Sequence, residues 1–265
     1  MRNFNLFLLA VLLIWSSHSA GSITYEIVGP FLTSAFTCLY QSLPSDGEPY
    51  AIIRAYQNSH SPPGIDPNAL QTLTNAYAAG FTADFYVEIC RGINATSQIN
   101  LVNTELFTPL NSNPKSSFYF MFFIKVVPSS NPECSWESYS YSDNCNFLRE
   151  TINAVVSVAG AAPNIFSTAQ IWAKFFGNSC NSLGAETGAS ISYASYDASG
   201  HVTSTQSLSD YVPFGGWTVS SGQVVAKQID GSLKVPLLCG SIAWHAFIDV
   251  LWFAWLLIEI WSNSI

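Results

Sequence analysis

Apolar and polar positions along this chain fall into short β-prone runs separated by stretches of helical spacing. Ile23–Val28, Ala51–Tyr56, Asp84–Ile89, Phe118–Val127, Asn164–Ser167, Ala189–Tyr193 and Gln223–Gln228 read as strands, rich in branched and aromatic residues. Between them, Thr33–Gln41, a stretch opened by Asp66-Pro67-Asn68, Ala95–Phe107, Asn146–Val158 and Ala169–Phe176 read as helices. Their ends carry punctuation. Asp66 suits an N-cap and Pro67 a first turn, while Gly80, Gly160 and Gly177 sit where helices should stop. Strands alternating with helices predict parallel βαβ units. Six or more such strands predict an irregular parallel α/β barrel in one domain, with an open doubly wound sheet second, since no Gly-rich phosphate loop is present.

Both ends of the chain break this alternation. Arg2 precedes an apolar run, Leu6–Trp15, and then the small polar residues Ser16–Ser22. That is the order of an export signal over residues 1–20, and the run is too short to span a bilayer. The barrel domain is then expected over residues 21–240, followed by a hydrophobic tail, 241–265. The tail is long enough to cross a membrane, yet it holds His245, Asp249 and Glu259. An Asp in a spanning helix costs about 2.5–3.5 kcal/mol on insertion scales, so a helix packed on the barrel or lying at an interface is the competing reading.

Composition narrows the function classes. Charged residues are 10% of the 265, and 17 acids stand against 9 scattered bases. Without a basic cluster the chain cannot neutralise a run of phosphates, so no nucleic-acid partner is expected. Export implies an oxidising compartment, either outside the cell or in an endolysosomal lumen, for Cys38, Cys90, Cys134, Cys145, Cys180 and Cys239. Six cysteines allow 15 pairings, and sequence does not choose among them. Cys134 and Cys145 bracket a short polar stretch, which favours a local bridge, with Cys38–Cys90 and Cys180–Cys239 taken as the remaining pairs. No Cys-x-x-Cys spacing occurs, so no metal and no cofactor is expected. Asn94-Ala95-Thr96 is a glycosylation sequon suited to a secreted surface loop.

Several segments, in order, carry a resemblance. They are Phe36-Thr37-Cys38-Leu39, Tyr50–Tyr56, Asp66-Pro67-Asn68-Ala69 with Ala76–Gly80, and Asp84-Phe85-Tyr86 up to Cys90. They continue with Ile165-Phe166-Ser167 and Trp172, Tyr193–Asp197, Phe214-Gly215-Gly216-Trp217, and Lys227-Gln228 before Cys239-Gly240. Together they resemble glycoside hydrolase family 25, the lysozymes with an irregular α/β barrel, in their secreted animal and protist branch. The resemblance runs over roughly residues 23–245. It implies a monomer acting on peptidoglycan or a related glycan, in innate defence or bacterial digestion.

It also implies catalytic acids at the ends of the first and fourth parallel strands and near the C-terminus. Those positions hold Val28, Lys125 with Val127, and Trp244, or Asp249 if the tail carries an insertion. A one-residue shift would place Ile124 and Val126 there instead, and no acid occurs between Glu105 and Glu133 under either register. Glycoside hydrolysis needs one carboxyl to protonate the leaving oxygen and a second as nucleophile or base. The resemblance therefore implies a lysozyme-like protein that has lost hydrolysis and keeps glycan binding. Glu88, at the end of the third strand, is the fallback acid for an alternative, active muramidase with displaced carboxylates. Its bland reading is a rim carboxylate paired with Arg54 or Arg91. The resemblance places cleft walls at Tyr56, Tyr86, Tyr193, Tyr196 and Trp217, whose rings suit sugar faces, and Arg54 and Gln228 suit sugar hydroxyls. A membrane-associated ectodomain is a third class, supported by the tail alone.

Overall fold

The computed structural model describes residues 22–42, 49–111, 121–195, 208–230 and 245–249. The expected signal, Tyr196, Cys239, Trp244 and most of the tail lie outside the described residues.

Strands β1 (Ser22–Ile27), β2 (Tyr50–Gln57), β4 (Thr82–Glu88), β5 (Phe122–Lys125), β6 (Asn164–Ser167), β7 (Ser190–Ala194) and β8 (Val224–Asp230) pair in parallel succession. β3 (Gly64–Ile65) is a two-residue hook on β2. The expected parallel α/β barrel is present, and its closure comes from an unexpected place. β9 (His245–Asp249) runs antiparallel to both β1 and β8 and joins the two edges. Five residues of the stretch read as a hydrophobic tail are thus barrel wall. Closure satisfies the backbone groups that two open edges would leave unpaired.

Helices α1 (Thr33–Ser42), α2 (Ala69–Ala78), α3 (Ala95–Val102), α4 (Tyr141–Ala159), α5 (Ala169–Phe176) and α6 (Leu183–Thr187) occupy the strand connections. None of the described helices is long and apolar enough to cross a membrane. α2 starts later than its signal. Asp66 is not the N-cap; Asn68 holds that position, while Asp66 Oδ1 accepts from the Asn68 amide at 3.0 Å in an Asx turn. α3 passes into a wide π-type turn over Asn103–Phe107, where an unbroken helix was expected. α4 starts five residues early because Ser140 caps it, accepting from the Asp143 amide at 3.2 Å.

Register gives each strand two faces. Ile27, Ile53, Phe85 and Phe122 align across four strands and point outward to the helix layer, where all are buried. Glu26, Ile52 and Asp84 align on the other face, toward the barrel lumen. The outer core is the larger one, with Trp136, Trp172, Trp217, Phe175 and Phe176 among its largest fully buried side chains. Trp217 stands there because Gly215 and Gly216 take positive φ of 62° and 87°, and a Cβ on Gly215 would come within 2.2 Å of its ring.

The expected disulfides are all corrected. Cys90 pairs with Cys134, with Cα atoms 4.3 Å apart, and Cys145 pairs with Cys180 at 5.5 Å. Cys38 is bonded too, to a residue outside the described ones. Cys134–Cys145, Cys38–Cys90 and Cys180–Cys239 therefore do not form. The supposed polar loop is a short 3-10 turn, Trp136–Ser138, followed by the first turn of α4. Fully buried Trp136 lies between the two cysteines in sequence. Cys134 is left beside the end of β4, and Cys145 faces the chain after α5. Each bridge closes a loop of tens of residues, 44 and 35 apart.

Peptide mapping of the unreduced protein should recover Cys90–Cys134 and Cys145–Cys180 linked peptides. Replacing Cys145 and Cys180 together with Ala should lower unfolding free energy by about 2–4 kcal/mol, read from denaturant melts.

Candidate functional site

In barrels of this kind chemistry sits at the carboxyl ends of the strands. Here that end holds a compact charged group inside the lumen. Glu26 rises from β1, Arg54 from β2, Asp84, Tyr86 and Glu88 from β4, and Lys125 from β5, all on one face by strand register.

Lys125 organises the group. Its Nζ donates to Glu26 Oε1 at 2.5 Å, across 99 residues of sequence. Both side chains are nearly out of water, 13% and 4% exposed. The ammonium also stands 4.9 Å from the centroid of the Tyr86 ring and 5.5 Å from that of Phe166. Glu26, Ile52, Tyr86, Phe123, Lys125, Phe166 and Ser192 line a narrow opening around it. Val28, just past β1, packs with Tyr50, Ile52, Tyr86 and Phe123. Val127, just past β5, packs with Phe166 and Ala194. Val28, Lys125 and Val127 thus occupy the lumen rim where the resemblance places acids.

The remaining lumen acids differ in state. Asp84 is buried, and burial raises its pKa to about 7, against the pull of two donors. Those donors are the Tyr50 hydroxyl and the Met121 amide, the latter at 2.9 Å from Oδ1. Asp84 is therefore a structural acceptor joining β2, β4 and the start of β5. Glu88 is half-buried, and its pKa is raised by burial first, with Lys125 and Arg54 opposing and Glu26 adding to the rise. Its cationic neighbours are Lys125 and Arg54; Arg91 instead lies 3.8 Å over the Tyr139 ring. Arg54 is engaged by Asp66, with Nε at 3.0 Å and Nη2 at 2.9 Å from Oδ2. Tyr86 is fully enclosed, and burial, then the Glu26 and Glu88 charges, push its hydroxyl pKa well up.

Not every expected cleft residue reaches this face. Tyr56 is only 2% exposed and belongs to the outer core. A bulge between Arg54 and Tyr56 shifts the register, so Tyr56 pairs with outward-facing Val87, and strict alternation from Arg54 fails. Trp217 is also core, its indole N–H donating to the Ala189 carbonyl at 2.7 Å. Gln228 does stand on the lumen face, level with Ala194, but is buried there. Tyr193 shares its level with Lys227 rather than with the lumen face. Asn94 is an exposed N-cap, its Oδ1 accepting from the Ser97 amide at 3.0 Å.

Tyr193 opens on a second space that sequence reading missed. A groove of about 570 Å³ lies at the carboxyl ends of β6 and β7, lined by Thr168, Gln170, Tyr193, Ser195, Asp210 and Phe214 among others. Under it, Asp210 accepts from the Tyr193 hydroxyl at 2.8 Å and from Lys227 Nζ at 2.6 Å. Lys227 is 1% exposed and Asp210 27%. No local motif announces this trio, because 17 residues separate Asp210 from each partner.

A closed α/β barrel with its charged group and a groove at the strand ends defines a class, and comparison gives the family. Residues 18–228 match the family model described as lysozyme-like protein 1. The chain is 30% identical over 202 residues to a probable GH family 25 lysozyme 2 of Dictyostelium discoideum, covering 74% of this chain and 77% of that one. It is 27% identical over 216 residues to lysozyme-like protein 5 of Caenorhabditis elegans, covering 80% and 87%. A family GH25 lysozyme from Aspergillus fumigatus shares its fold, with a TM-score of 0.60 at 14% identity over 87% of this chain and 94% of that one. The chain belongs to the lysozyme-like family of GH25 type.

Two measurements test the lumen. Lys125→Met leaves Glu26 buried without its cation and should cost about 3–5 kcal/mol of stability, while adding Glu26→Gln should return much of it. The raised Asp84 pKa has a definite sign: the folded state holds the proton more tightly than the unfolded one. Its contribution is full below the unfolded value near 3.8 and is lost as pH rises toward about 7. Unfolding free energy should fall over that window by up to about 4 kcal/mol, at about 1.36 kcal/mol per unit. Asp84→Asn should flatten that slope in pH-dependent urea melts.

Proposed function

We propose that this chain is a secreted, lysozyme-like glycan-binding protein that does not hydrolyse glycosidic bonds. The observation that supports this reading is the Lys125–Glu26 ion pair, formed by a lysine standing where the resemblance implies an acid. Glycoside hydrolysis proceeds through an oxocarbenium-like transition state, which needs negative charge beside it and a proton for the departing oxygen. Val28 and Val127 supply neither. A protonated Lys125 opposes a developing cation, and the one carboxylate nearest to it, Glu26, is nearly buried and already paired. Loss of a positioned general acid alone costs about 100- to 10,000-fold.

The family supplies the ligand class, a glycan such as peptidoglycan. Secretion is supported by the two described disulfides, which persist in oxidising compartments, and by the export-like order of residues 1–20.

Glu88 supports a second reading, an active muramidase with displaced carboxylates. It is half-buried at a strand end with a raised pKa, which is the state a general acid requires. Among the described residues it lacks a facing carboxylate that is not engaged elsewhere, and this places it second.

The two readings part in one experiment. The purified mature chain should clear bacterial walls no faster than a heat-denatured control, while sedimenting with them. Val28→Asp, Lys125→Asp and Val127→Glu, with Glu26→Gln to avoid stranding a buried charge, should raise turbidity clearance measurably. Rapid lysis by the unmodified chain, abolished by Glu88→Gln, establishes the second reading instead.

A further inference from the structure

The groove at the ends of β6 and β7 combines features that bear on which glycan fits. Its walls include the half-buried ring of Phe214 and the neutral hydrogen-bonding groups of Gln170 and Ser195, with buried Tyr193 beneath them. Rings offer apolar faces to sugar rings, and amides and hydroxyls match sugar hydroxyls in both directions. Asp210 adds a partly exposed carboxylate, which accepts hydrogen bonds and donates none.

Among the described residues, the cations near this end of the barrel are engaged. Lys227 is held by Asp210 at 2.6 Å, Lys125 by Glu26 at 2.5 Å and Arg54 by Asp66 at 2.9 Å. Each pair is buried on at least one side. Drawing a cation away to a ligand would strand a carboxylate, and breaking a buried pair is strongly unfavourable. A carboxylate-bearing ligand would thus meet acceptors and like charge with no cation released to receive it.

We propose that this groove binds a neutral, polyhydroxylated glycan chain and selects against glycans that carry carboxylates. The proposal rests on the glycan-binding reading and names the ligand chemistry within it. Peptidoglycan strands carry lactyl and peptide carboxylates, so the preferred ligand is a neutral N-acetylhexosamine chain or a wall glycan whose carboxylates are masked.

Titration calorimetry on the full mature chain tests this with three probes: chitohexaose, a muropeptide oligomer with free carboxylates, and the same oligomer amidated. Chitohexaose and the amidated oligomer should bind at least about tenfold more tightly than the charged oligomer. The gap should narrow as salt rises from about 0.01 M to 0.15 M, because screening shortens the reach of the repulsion. Gln170→Ala and Ser195→Ala, both at solvent-accessible positions, should each weaken chitohexaose about 3- to 10-fold with unchanged melting temperature. Equal affinity for charged and amidated oligomers overturns the charge selection. Unaltered chitohexaose affinity in both variants overturns its placement in this groove. Failure to bind any of the three probes overturns the glycan-binding reading itself, and this inference with it.

Discussion

The Lys125–Glu26 ion pair is the constraint around which the lumen is arranged. A lysine at the end of β5 points inward by strand parity, into a space walled by Tyr86, Phe123, Phe166 and Ile52. Such surroundings do not tolerate a lone ammonium, since desolvating it costs several kcal/mol. Glu26 supplies the counter-charge, and the Tyr86 and Phe166 rings supply negative faces on two further sides. The compensation fixes neighbouring states in turn. With one cation committed to Glu26, Glu88 sits between a spent lysine and an engaged Arg54, and burial decides the direction of its pKa. Asp84, deeper on β4, is satisfied by neutral donors rather than by a cation, and it therefore holds its proton toward neutrality.

The same economy of cations recurs around the barrel end. With 9 bases against 17 acids, this chain sets three of its bases at the barrel end, Arg54, Lys125 and Lys227, as largely buried partners for acids. Arg54 clamps Asp66, which at the same time closes the Asx turn leading into α2. Lys227 reaches Asp210 through the outer face of β8 and ties the segment before Trp217 to the sheet. These pairs join segments distant in sequence and so help hold loops that the short strands alone do not fix. They also leave the barrel mouth without a spare positive charge among the described residues that line it. That is an electrostatic character set by structural needs, with consequences for any ligand.

How much of this was legible in the sequence follows from the range of each signal. Local signals were read well: Asn164–Ser167 and Ala169–Phe176 stand at the expected residues, and Gly160 and Gly177 end their helices. The resemblance put Val28 and Lys125 at strand ends, and the register sets Lys125 level with Glu88. What failed was set by contacts at long sequence separation or by a single irregularity. One bulge in β2 sent Tyr56 outward. The pairing of Cys145 with Cys180 depends on how α4 packs beside α5, which spacing does not encode. Trp217 looks like a sugar platform by type, yet the space left over two glycines draws it into the core. The closing strand β9 lies in a run so uniformly apolar that its period is hidden, and a buried strand and a membrane helix look alike there.

On the proposed reading, the presence of Val28, Lys125 and Val127 where the resemblance implies acids has a stability side. Catalytic carboxylates gathered in one lumen repel one another and resist desolvation, a cost that active enzymes retain because their chemistry needs it. In this lumen Glu26 and Asp84 already stand on one face, with Glu88 at the rim. A further acid at the Lys125 position would add a like charge beside Glu26. A lysine there turns that repulsion into a 2.5 Å attraction. Val28 and Val127 likewise replace groups that must be hydrated with groups that pack against Tyr50 and Phe166. On the reading proposed above, these residues favour folding and leave the groove at β6 and β7 untouched. A fold and its chemistry are separable. Here the lumen bears the stability, and the groove at the strand ends is the surface we propose for a glycan.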